Sequence, residues 1–298
     1  MTMFTINIPG SSANIGPGFD SMGIAIDRYL TLQVIESESW EFVHNSSLLP
    51  PYTHYNDHFI YKVAHQMAHK YSGQPLPPCQ VVMTSDIPLA RGLGSSAAAV
   101  VAGIELANQL CQLSLTRKEK LREATIIEGH PDNVAPTLFG GCVVSVTSSQ
   151  HDVEFMQLNH FDLDLVAYIP NQELKTEKSR KVLPQTISHD QAAQASSISN
   201  LMIASLLQGD YQLAGKMMEK DLFHEPYRAA LIPHYDQIKK TAKQFGAYGT
   251  VISGAGPTML SFVPQGKGQI IAKQMATKLP SYSVKMVSID TKGLNVVS

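Results

Sequence analysis

The chain contains 298 residues, of which 44% are apolar and 16% are charged. Because 23 Lys and Arg stand against 25 Asp and Glu, the net charge is −2 at neutral pH, whereas nucleic-acid-binding domains are usually strongly basic. The longest apolar run, 97–104, is far shorter than the roughly 20 residues that cross a bilayer. We therefore expect neither a nucleic-acid partner nor a membrane partner.

The cysteines and the N-terminal residues indicate a cellular compartment. Cys79, Cys111 and Cys142 are scattered without a paired spacing, which is typical of buried thiols in a reducing environment. No Lys or Arg precedes Arg28, so the charged start of a signal peptide is missing. We expect a cytoplasmic protein. Since domains average about 150 residues, we also expect two of them.

Apolar periodicity and turn residues predict the elements of the first half. Strands are predicted over 4–8, 30–34, 40–43, 80–84 and 142–146. A helix is predicted from Phe59, with Asn56 or Asp57 as its N-cap and Gly73 as its end. A second helix is predicted over 95–110, and Thr116 with its capping-box partner opens a third.

The polar stretch 148–160 is predicted to separate two domains, 1–158 and 159–298. Beyond it, strands are predicted over 163–169, 250–253, 258–263 and 284–289, and helices over 190–207, 210–222, 234–245 and 269–279. Strands and helices mix without a regular alternation. This pattern favours the α+β class over a doubly wound sheet.

The most informative segment is 88–99, which reads PLARGLGSSAAA. Its glycines permit close approach of a ligand to the backbone, and the helix N-terminus behind them suits a phosphate. Walker A is excluded because no Lys follows the second glycine. The loose dinucleotide fingerprint of Gly92, Gly94 and Ala97 is a weak match, since 86–91 would separate its first glycine from the strand. An ordinary N-capped helix is the alternative interpretation.

Two further glycine-rich segments, 9–20 and 253–258, complete a recognisable order. With 88–99 they resemble the three motifs of the GHMP kinase superfamily. Within it the chain resembles the homoserine kinase family, on the residues Ser12-Ala-Asn-Ile-Gly-Pro-Gly-Phe-Asp20, Gly129-His-Pro-Asp-Asn-Val-Ala-Pro136, Thr176 to Pro184 and Glu225 to Pro233.

The resemblance implies an α+β fold of two domains, the first like ribosomal protein S5 domain 2 and the second ferredoxin-like. It implies ATP-dependent phosphorylation of the side-chain hydroxyl of L-homoserine, a step toward threonine, with Mg²⁺ as cofactor. The implied ATP-phosphate residues are Pro88, Leu89, Ala90, Arg91, Gly92, Leu93, Gly94, Ser95, Ser96 and Ala97, and the third motif supplies Gly254 and Gly256. A homodimer is a further expectation at the level of the family.

The resemblance also implies which residues meet the metal and the substrate. Ser95, Ser96 and Glu128 are the implied Mg²⁺ ligands, with Glu123 open as an alternative to Glu128. The implied substrate contacts are Asn14, Asp20, Asn133, Arg180 and Arg228. Guanidinium groups suit the carboxylate of an amino acid, and Asp20 suits its ammonium.

The residues leave the catalytic assignment open. Asn133 is assigned to orienting the hydroxyl, and Asp132 remains a candidate base, because a loose transition state needs little early proton removal. His130 is interpreted as structural. His65 and His69 have metal spacing on a helix, but Gln66 stands where a zincin needs Glu, so no metal is expected there.

Other functions remain as alternatives. A related kinase could phosphorylate another small alcohol, such as mevalonate or an isoprenoid precursor. A non-catalytic sensor of nucleotide or amino acid would use the same motifs without turnover. A nicotinamide oxidoreductase is the most distant alternative, because it depends only on the loose dinucleotide fingerprint.

Overall fold

A computed structural model describes residues 2–148, 152–158 and 160–297. The strands are β1 (Thr2–Ala13), β2 (Met22–Glu36), β3 (Glu41–His44), β4 (Cys79–Ser85), β5 (Cys142–Thr147), β6 (Val153–Leu158), β7 (Leu163–Pro170), β8 (Gly249–Ile252), β9 (Met259–Pro264), β10 (Tyr282–Val287) and β11 (Asn295–Val297). The helices are α1 (Phe59–Tyr71), α2 (Ser95–Leu110), α3 (Arg117–Glu128), α4 (Pro131–Phe139), α5 (Thr176–Lys181), α6 (His189–Leu207), α7 (Tyr211–Met218), α8 (Glu225–Arg228), α9 (Tyr235–Gln244) and α10 (Gly268–Lys278). Among the described residues, no helix has the length and apolar character needed to cross a bilayer.

The first sheet has the order β11-β1-β2-β4-β3, and β5 and β6 extend it from β2. β1 and β2 pair in antiparallel fashion with a register shift between Pro9 and Gly10. β1 continues past this shift to Ala13, so the first half of the glycine-rich segment 9–20 is strand. The side chains of Ser11 and Ser12 are consequently buried inside the fold.

The stretch 148–160 contains more structure than the predicted linker. β6 pairs antiparallel with β5 along its whole length, because Val153 is 2% exposed and anchors this short strand to the core. Residues 149–151 and 159 lie outside the described part. The division into 1–158 and 159–298 stays a prediction, and within the second range β11 returns to pair with β1 of the first sheet.

The second sheet has the order β10-β7-β9-β8, and all of its pairs are antiparallel. α9 contacts β8, while α10 contacts β7 and β10. This arrangement buries a second apolar cluster that includes Tyr168, Ile252 and Met259. The two sheets, which are antiparallel except for the pair of β3 with β4, and the helices packed on them confirm the predicted α+β class.

α2 is the central helix of the first half, and its direction determines where its N-terminus lies. Most of its residues are buried, many of them Ala. At Gly103 a Cβ atom would lie 2.6 Å from the Cβ of Val63 and 2.8 Å from the carbonyl oxygen of Ile60, so the small residue permits close packing on α1. The packed body of α2 holds its first turn rigidly at the edge of a cleft.

Candidate active site

The three glycine-rich segments meet at one pocket, which we call the central pocket. The predicted residues that line it are Asn14, Asp20, Ala90, Gly92, Gly94, Ser95, Ser96, Ala97, Glu128, Asp132, Asn133, Arg180, Arg228 and Gly254. His130 and Thr176 line it as well. Within the described part of the chain, the predicted residues that do not line it are Pro88, Leu89, Arg91, Leu93 and Gly256.

Gly92 and Gly94 allow the motif segments to pack directly on one another. Both have left-handed backbones, with φ of +74° and +73°. A Cβ atom at Gly92 would lie 2.2 Å from the carbonyl oxygen of Ser253, and one at Gly94 would lie 2.2 Å from Oγ of Ser11. Each distance is too short for any side chain, so these glycines are required for contact between segments as well as for access to a ligand.

The N-terminus of α2 opens into the central pocket. Gly94 is its N-cap, and no side chain caps the helix. Ser95, Ser96 and Ala97, which form the first turn, all line the pocket. Free N–H groups at a helix N-terminus, with its partial positive charge, form an anion-binding site.

Glu128 lies at the end of α3 beside this helix N-terminus. Oγ of Ser96 donates to its Oε2 over 3.1 Å. Burial raises the pKa of Glu128, although the hydrogen bond from Ser96 and the proximity of His130 oppose the rise. Glu123 lies elsewhere, in an ion pair of 2.6 Å with Lys70. Of the two candidate metal ligands, only Glu128 lines the pocket.

Asp132 and Asn133 lie in the first turn of α4, which Pro131 begins. Oγ of Ser11 donates to Oδ1 of Asn133 over 2.9 Å, which leaves the amide nitrogen of Asn133 as the group available for a ligand. Nδ1 of His130 lies 3.0 Å from Oδ1 of Asp132. Burial alone would lower the pKa of His130, but the hydrogen bond and charge of Asp132 outweigh burial and raise it.

Asp20 and Arg180 form a bidentate ion pair in the same pocket, and a carboxylate oxygen of Asp20 lies within 4.8 Å of a ring nitrogen of His130 and a carboxylate oxygen of Asp132. Nη2 of Arg180 donates to Oδ1 of Asp20 over 2.7 Å, and Nη1 donates to Oδ2 over 3.2 Å. Both side chains are about one-third exposed, at 34% for Asp20 and 37% for Arg180. The predicted partner of an ammonium and the predicted partner of a carboxylate therefore face each other.

Arg228, from α8, is the second arginine that lines the central pocket. Its side chain is 2% exposed, and its guanidinium carbon lies 5.4 Å from the centre of the Phe19 ring, which the guanidinium of Arg180 also approaches, at 5.8 Å. Burial, followed by the proximity of Arg180, lowers the pKa of Arg228 to about 10. Arg228 therefore stays charged at neutral pH, and the aromatic ring of Phe19 interacts with both guanidinium groups.

The amide of Asn14 connects the first and third motif segments. Its Nδ2 donates to the carbonyl oxygen of Gly254 over 2.9 Å, and its Oδ1 accepts from the backbone N–H of Asp20 over 3.1 Å. Asn14 lines the pocket, but these bonds fix the backbone of the segment that presents Asp20.

Arg91 is directed away from the central pocket. Its Nε donates to the carbonyl oxygen of Pro170 and its Nη1 to that of Leu89, each over 2.9 Å. The carboxylate of Glu173 lies 3.4 Å from Nη1. Arg91 thus attaches segment 88–99 to the end of β7, while Leu93 is 1% exposed in the core.

A second depression, which we call the apolar cavity, joins the central pocket at Ser95 and Ser96. The two share these serines, and the rest of the apolar cavity is lined mainly by aliphatic and aromatic residues, among them Leu30, Leu49, Pro50, Tyr52, Ile60, Met83, Ile87, Leu89 and Ala99. A flat apolar group and a polyanion attached to it can therefore occupy adjacent spaces.

His58 contributes an unusual polar atom to the apolar cavity. Its Nδ1 is buried and has no hydrogen-bond partner among the described residues, while its Nε2 lies 3.1 Å from Nε2 of His44. Burial lowers the pKa of both rings, that of His58 to about 4, so both are neutral.

The neighbouring groups determine the tautomer of His58. His44 donates to the carbonyl oxygen of Pro50, which leaves its Nε2 as an acceptor. His58 must then donate through Nε2, which leaves its Nδ1 as a buried acceptor in a residue that lines the cavity. Its ring stacks on Phe42 with the centroids 3.9 Å apart.

Reasoning from the sequence did not assign His58, Phe19 or His224. Phe19 lies within segment 9–20 and His224 directly precedes segment 225–233, but neither residue type alone indicates a role beside an arginine. His130, interpreted as structural, lines the pocket with Asp132.

Comparisons with known proteins agree with this geometry. The family model described as "GHMP kinases N terminal domain" matches residues 58–141, and "GHMP kinases C terminal" matches 202–281. A homoserine kinase from Oceanobacillus iheyensis is 51% identical over 99% of both chains. One from Bacillus licheniformis is 45% identical over 99% of this chain and 95% of its own.

Solved structures extend the likeness to the fold. The crystal structure of homoserine kinase from Cytophaga hutchinsonii superposes with a TM-score of 0.84 at 28% identity, covering 99% of this chain and 97% of its own. The chain is therefore a GHMP kinase and belongs to the homoserine kinases within that family.

Proposed function

We propose that this protein transfers the γ-phosphoryl group of ATP to the side-chain hydroxyl of L-homoserine, a reaction on the route to threonine. The observation that carries the proposal is the central pocket, which Asp20, Arg180 and Arg228 line together with the uncapped N-terminus of α2. The charged side chains suit a zwitterion and the helix N-terminus suits phosphates, and the relatives at 51% and 45% identity are named homoserine kinases.

Asp20, Arg180 and Arg228, which we call the charged wall, account for the binding of the amino acid. The ammonium of homoserine shares the carboxylate of Asp20, while its carboxylate contacts the guanidinium groups of Arg180 and Arg228. When the zwitterion binds beside the Asp20–Arg180 ion pair (2.7 Å), its ammonium and carboxylate add two charges. The site then contains four charges of alternating sign in place of two. Each charge-assisted hydrogen bond stabilises the complex by about 1.5–3 kcal/mol.

The N-terminus of α2 and the apolar cavity account for ATP. Its phosphates lie against the first turn of α2, and its purine occupies the apolar cavity that begins at Ser95 and Ser96. The lone pair at Nδ1 of His58 is complementary to the 6-amino group of adenine, which donates hydrogen bonds. A guanine or hypoxanthine base presents a carbonyl oxygen at that position.

The residues near Ser96 fit a magnesium ion. The hydroxyl of Ser96 and the carboxylate of Glu128, 3.1 Å apart, are oxygen donors, and Ser95 can supply a third. Mg²⁺ commonly keeps waters and binds few protein groups when phosphates complete its shell. When bound, it neutralises the charge of the phosphate oxygens.

The arrangement suits an in-line transfer. The amide nitrogen of Asn133, whose oxygen is held by Ser11, donates to the substrate hydroxyl and orients its lone pair. The hydroxyl oxygen bonds to the γ-phosphorus as the bond to the bridging oxygen breaks, and ADP leaves. The hydroxyl proton passes to Asp132, whose Oδ1 lies 3.4 Å from that amide nitrogen, and the first turn of α2 stabilises the departing charge.

The alternatives account for fewer features of the pocket. A mevalonate-type acceptor has a carboxylate but no ammonium, so it leaves Asp20 without a partner in the substrate. A sensor needs no carboxylate beside the phosphate site, yet Glu128 faces Ser96 there.

The test is ADP release by the purified protein with Mg²⁺-ATP and L-homoserine, mevalonate or no acceptor. We expect stimulation by L-homoserine alone, and its loss in Arg180→Met. Stimulation by mevalonate alone would favour the related alcohol kinase. ATP binding without stimulated release by any acceptor would favour the sensor.

A further inference from the structure

His224 lies immediately before α8, and its side chain is fully buried, at 0% exposure. Its Nε2 lies 3.0 Å from the carbonyl oxygen of Gly16 in the first motif segment. Its Nδ1 lies 3.3 Å from Nη1 of Arg228, one helical turn further along the chain. His224 therefore bridges the segment that presents Asp20 and the arginine that we assign to the substrate carboxylate.

The two neighbours determine the protonation of His224. A backbone carbonyl only accepts hydrogen bonds and a guanidinium only donates them, so Nε2 carries the hydrogen and Nδ1 is the acceptor. A second proton would direct an N–H at the cation of Arg228. Burial lowers the pKa of His224, although the carboxylates of Asp221 and Glu225 oppose this, and the neutral tautomer is the one that matches both partners.

The hydrogen bonds of Arg228 show what this contact achieves. Its Nε donates to the carbonyl oxygen of Ser179 over 3.2 Å, and its Nη1 donates to that of Gly254 over 3.1 Å as well as to His224. These three bonds use three of the five guanidinium hydrogens. Within the described chain, the two hydrogens of Nη2 have no protein acceptor, and Arg228 lines the central pocket.

We propose that His224 is a positioning residue for substrate recognition, which acts through Arg228 and directs its Nη2 at the carboxylate of the amino acid. The inference rests on the proposed function, because it presumes that an amino acid occupies the central pocket. His224 then contributes to discrimination between an α-amino acid and an amine without the carboxylate. Its effect must vanish for a ligand that lacks this group.

The test compares His224→Phe with His224→Asn. Phe retains a ring against Phe19, whose centroid lies 5.4 Å from that of His224, but loses both polar contacts. Asn places an oxygen near the position of Nδ1 and restores the acceptor for Arg228. Two ligands are compared: L-homoserine as substrate, and 3-aminopropan-1-ol, which lacks only the carboxylate, as competitive inhibitor.

We expect His224→Phe to raise the KM for L-homoserine about tenfold, the effect of one charge-assisted hydrogen bond. The KM for ATP, the Ki of 3-aminopropan-1-ol and kcat should each change less than about threefold. His224→Asn should recover most of the KM. If His224→Phe does not fold, His224→Asn is compared with His224→Leu in the same assays.

Three results would overturn the inference. An unchanged KM for L-homoserine would show that Arg228 needs no help from His224. An equal loss for both ligands would indicate a general structural effect. Failure of Asn to recover what Phe or Leu loses would exclude the acceptor as the cause. If the wild-type protein released no ADP with L-homoserine, the proposed function itself would fail. This outcome is distinguishable from failure of the inference, which would be seen only in the variants.

Discussion

Replacing His58 by Phe should weaken the preference of this kinase for ATP over ITP. The substitution preserves the stacked ring, which lies 3.9 Å from Phe42 at an interplanar angle of 10°. It removes the lone pair at Nδ1, a buried atom with no hydrogen-bond partner among the described residues. The two nucleotides differ at the 6-position, where ATP has an amino donor and ITP a carbonyl acceptor.

The magnitude follows from the partners of that lone pair. With ATP, the lone pair accepts a hydrogen bond, which contributes about 0.5–1.5 kcal/mol net. With ITP, it faces another acceptor, and a buried acceptor without a partner costs about 1–3 kcal/mol. The wild-type preference should therefore be about 1.5–4.5 kcal/mol, or roughly 10- to 1,500-fold in kcat/KM. In His58→Phe it should fall below about fivefold.

The assay is steady-state kinetics with each nucleotide at saturating L-homoserine. His69→Phe, on the exposed face of α1, is the matched control and should keep the wild-type ratio. His58→Phe should also lose about 1–3 kcal/mol of stability, because Nε2 of His44 loses its donor. A ratio that is unchanged in a folded His58→Phe protein would refute the tautomer assignment and the location of the purine.

Three further predictions concern the central pocket. Gly94→Ala should lower the free energy of unfolding by at least about 2 kcal/mol more than Gly73→Ala in urea titrations, because both positions have positive φ but only Gly94 would clash, at 2.2 Å. Glu128→Gln should raise the Mg²⁺ concentration for half-maximal activity at least tenfold, with little change in the KM for L-homoserine. His130→Gln should destabilise the protein more at pH 6 than at pH 9. The pKa of His130 is raised in the folded protein, so its charged form stabilises the fold below the ordinary pKa of about 6.5. This contribution is lost as the pH rises through the pKa of the folded state.

Each of these predictions has a result that would contradict it. Equal losses at the two glycines would mean that contact between the motif segments matters no more than backbone strain. An unchanged Mg²⁺ requirement would remove Glu128 from the metal site. A pH-independent effect of His130→Gln would mean that its charged pair with Asp132 adds nothing to stability.

Local sequence signals predicted the long elements well. The helix predicted over 95–110 coincides with α2, and the capping box of Thr116 and Glu119 is present in full at the start of α3. Both depend on residues within a few positions of one another. The start of α1 differs, because Tyr55–Asp57 form a separate 3-10 turn and His58 becomes the N-cap.

Short elements and long-range contacts were beyond the sequence signals. α4, α5 and α8 were not predicted, since helices of four to nine residues show too little periodicity to recognise. The strand β6 was missed because it lies inside a polar stretch. The alternation of Val153 with Phe155 is its main sequence signal, and this signal covers only a few residues.

The same limit applies to the site. The resemblance to the GHMP kinases indicated residues that line one pocket, but it indicated nothing about how those residues pair. The ion pair of Asp20 with Arg180 joins positions 160 apart in the chain, and the contact of His224 with Gly16 joins positions 208 apart. Tertiary structure alone brings such pairs together.

The central claim is that the charged wall selects an amino acid as phosphoryl acceptor. It is tested most directly by identifying the phosphorylated product when the protein is given Mg²⁺-ATP with equal amounts of L-homoserine, mevalonate and 3-aminopropan-1-ol. Phosphorus NMR and mass spectrometry should find O-phospho-L-homoserine as the dominant product, and Arg228→Met should abolish that preference. Predominant phosphorylation of mevalonate or of the amine in the wild-type protein would contradict the account.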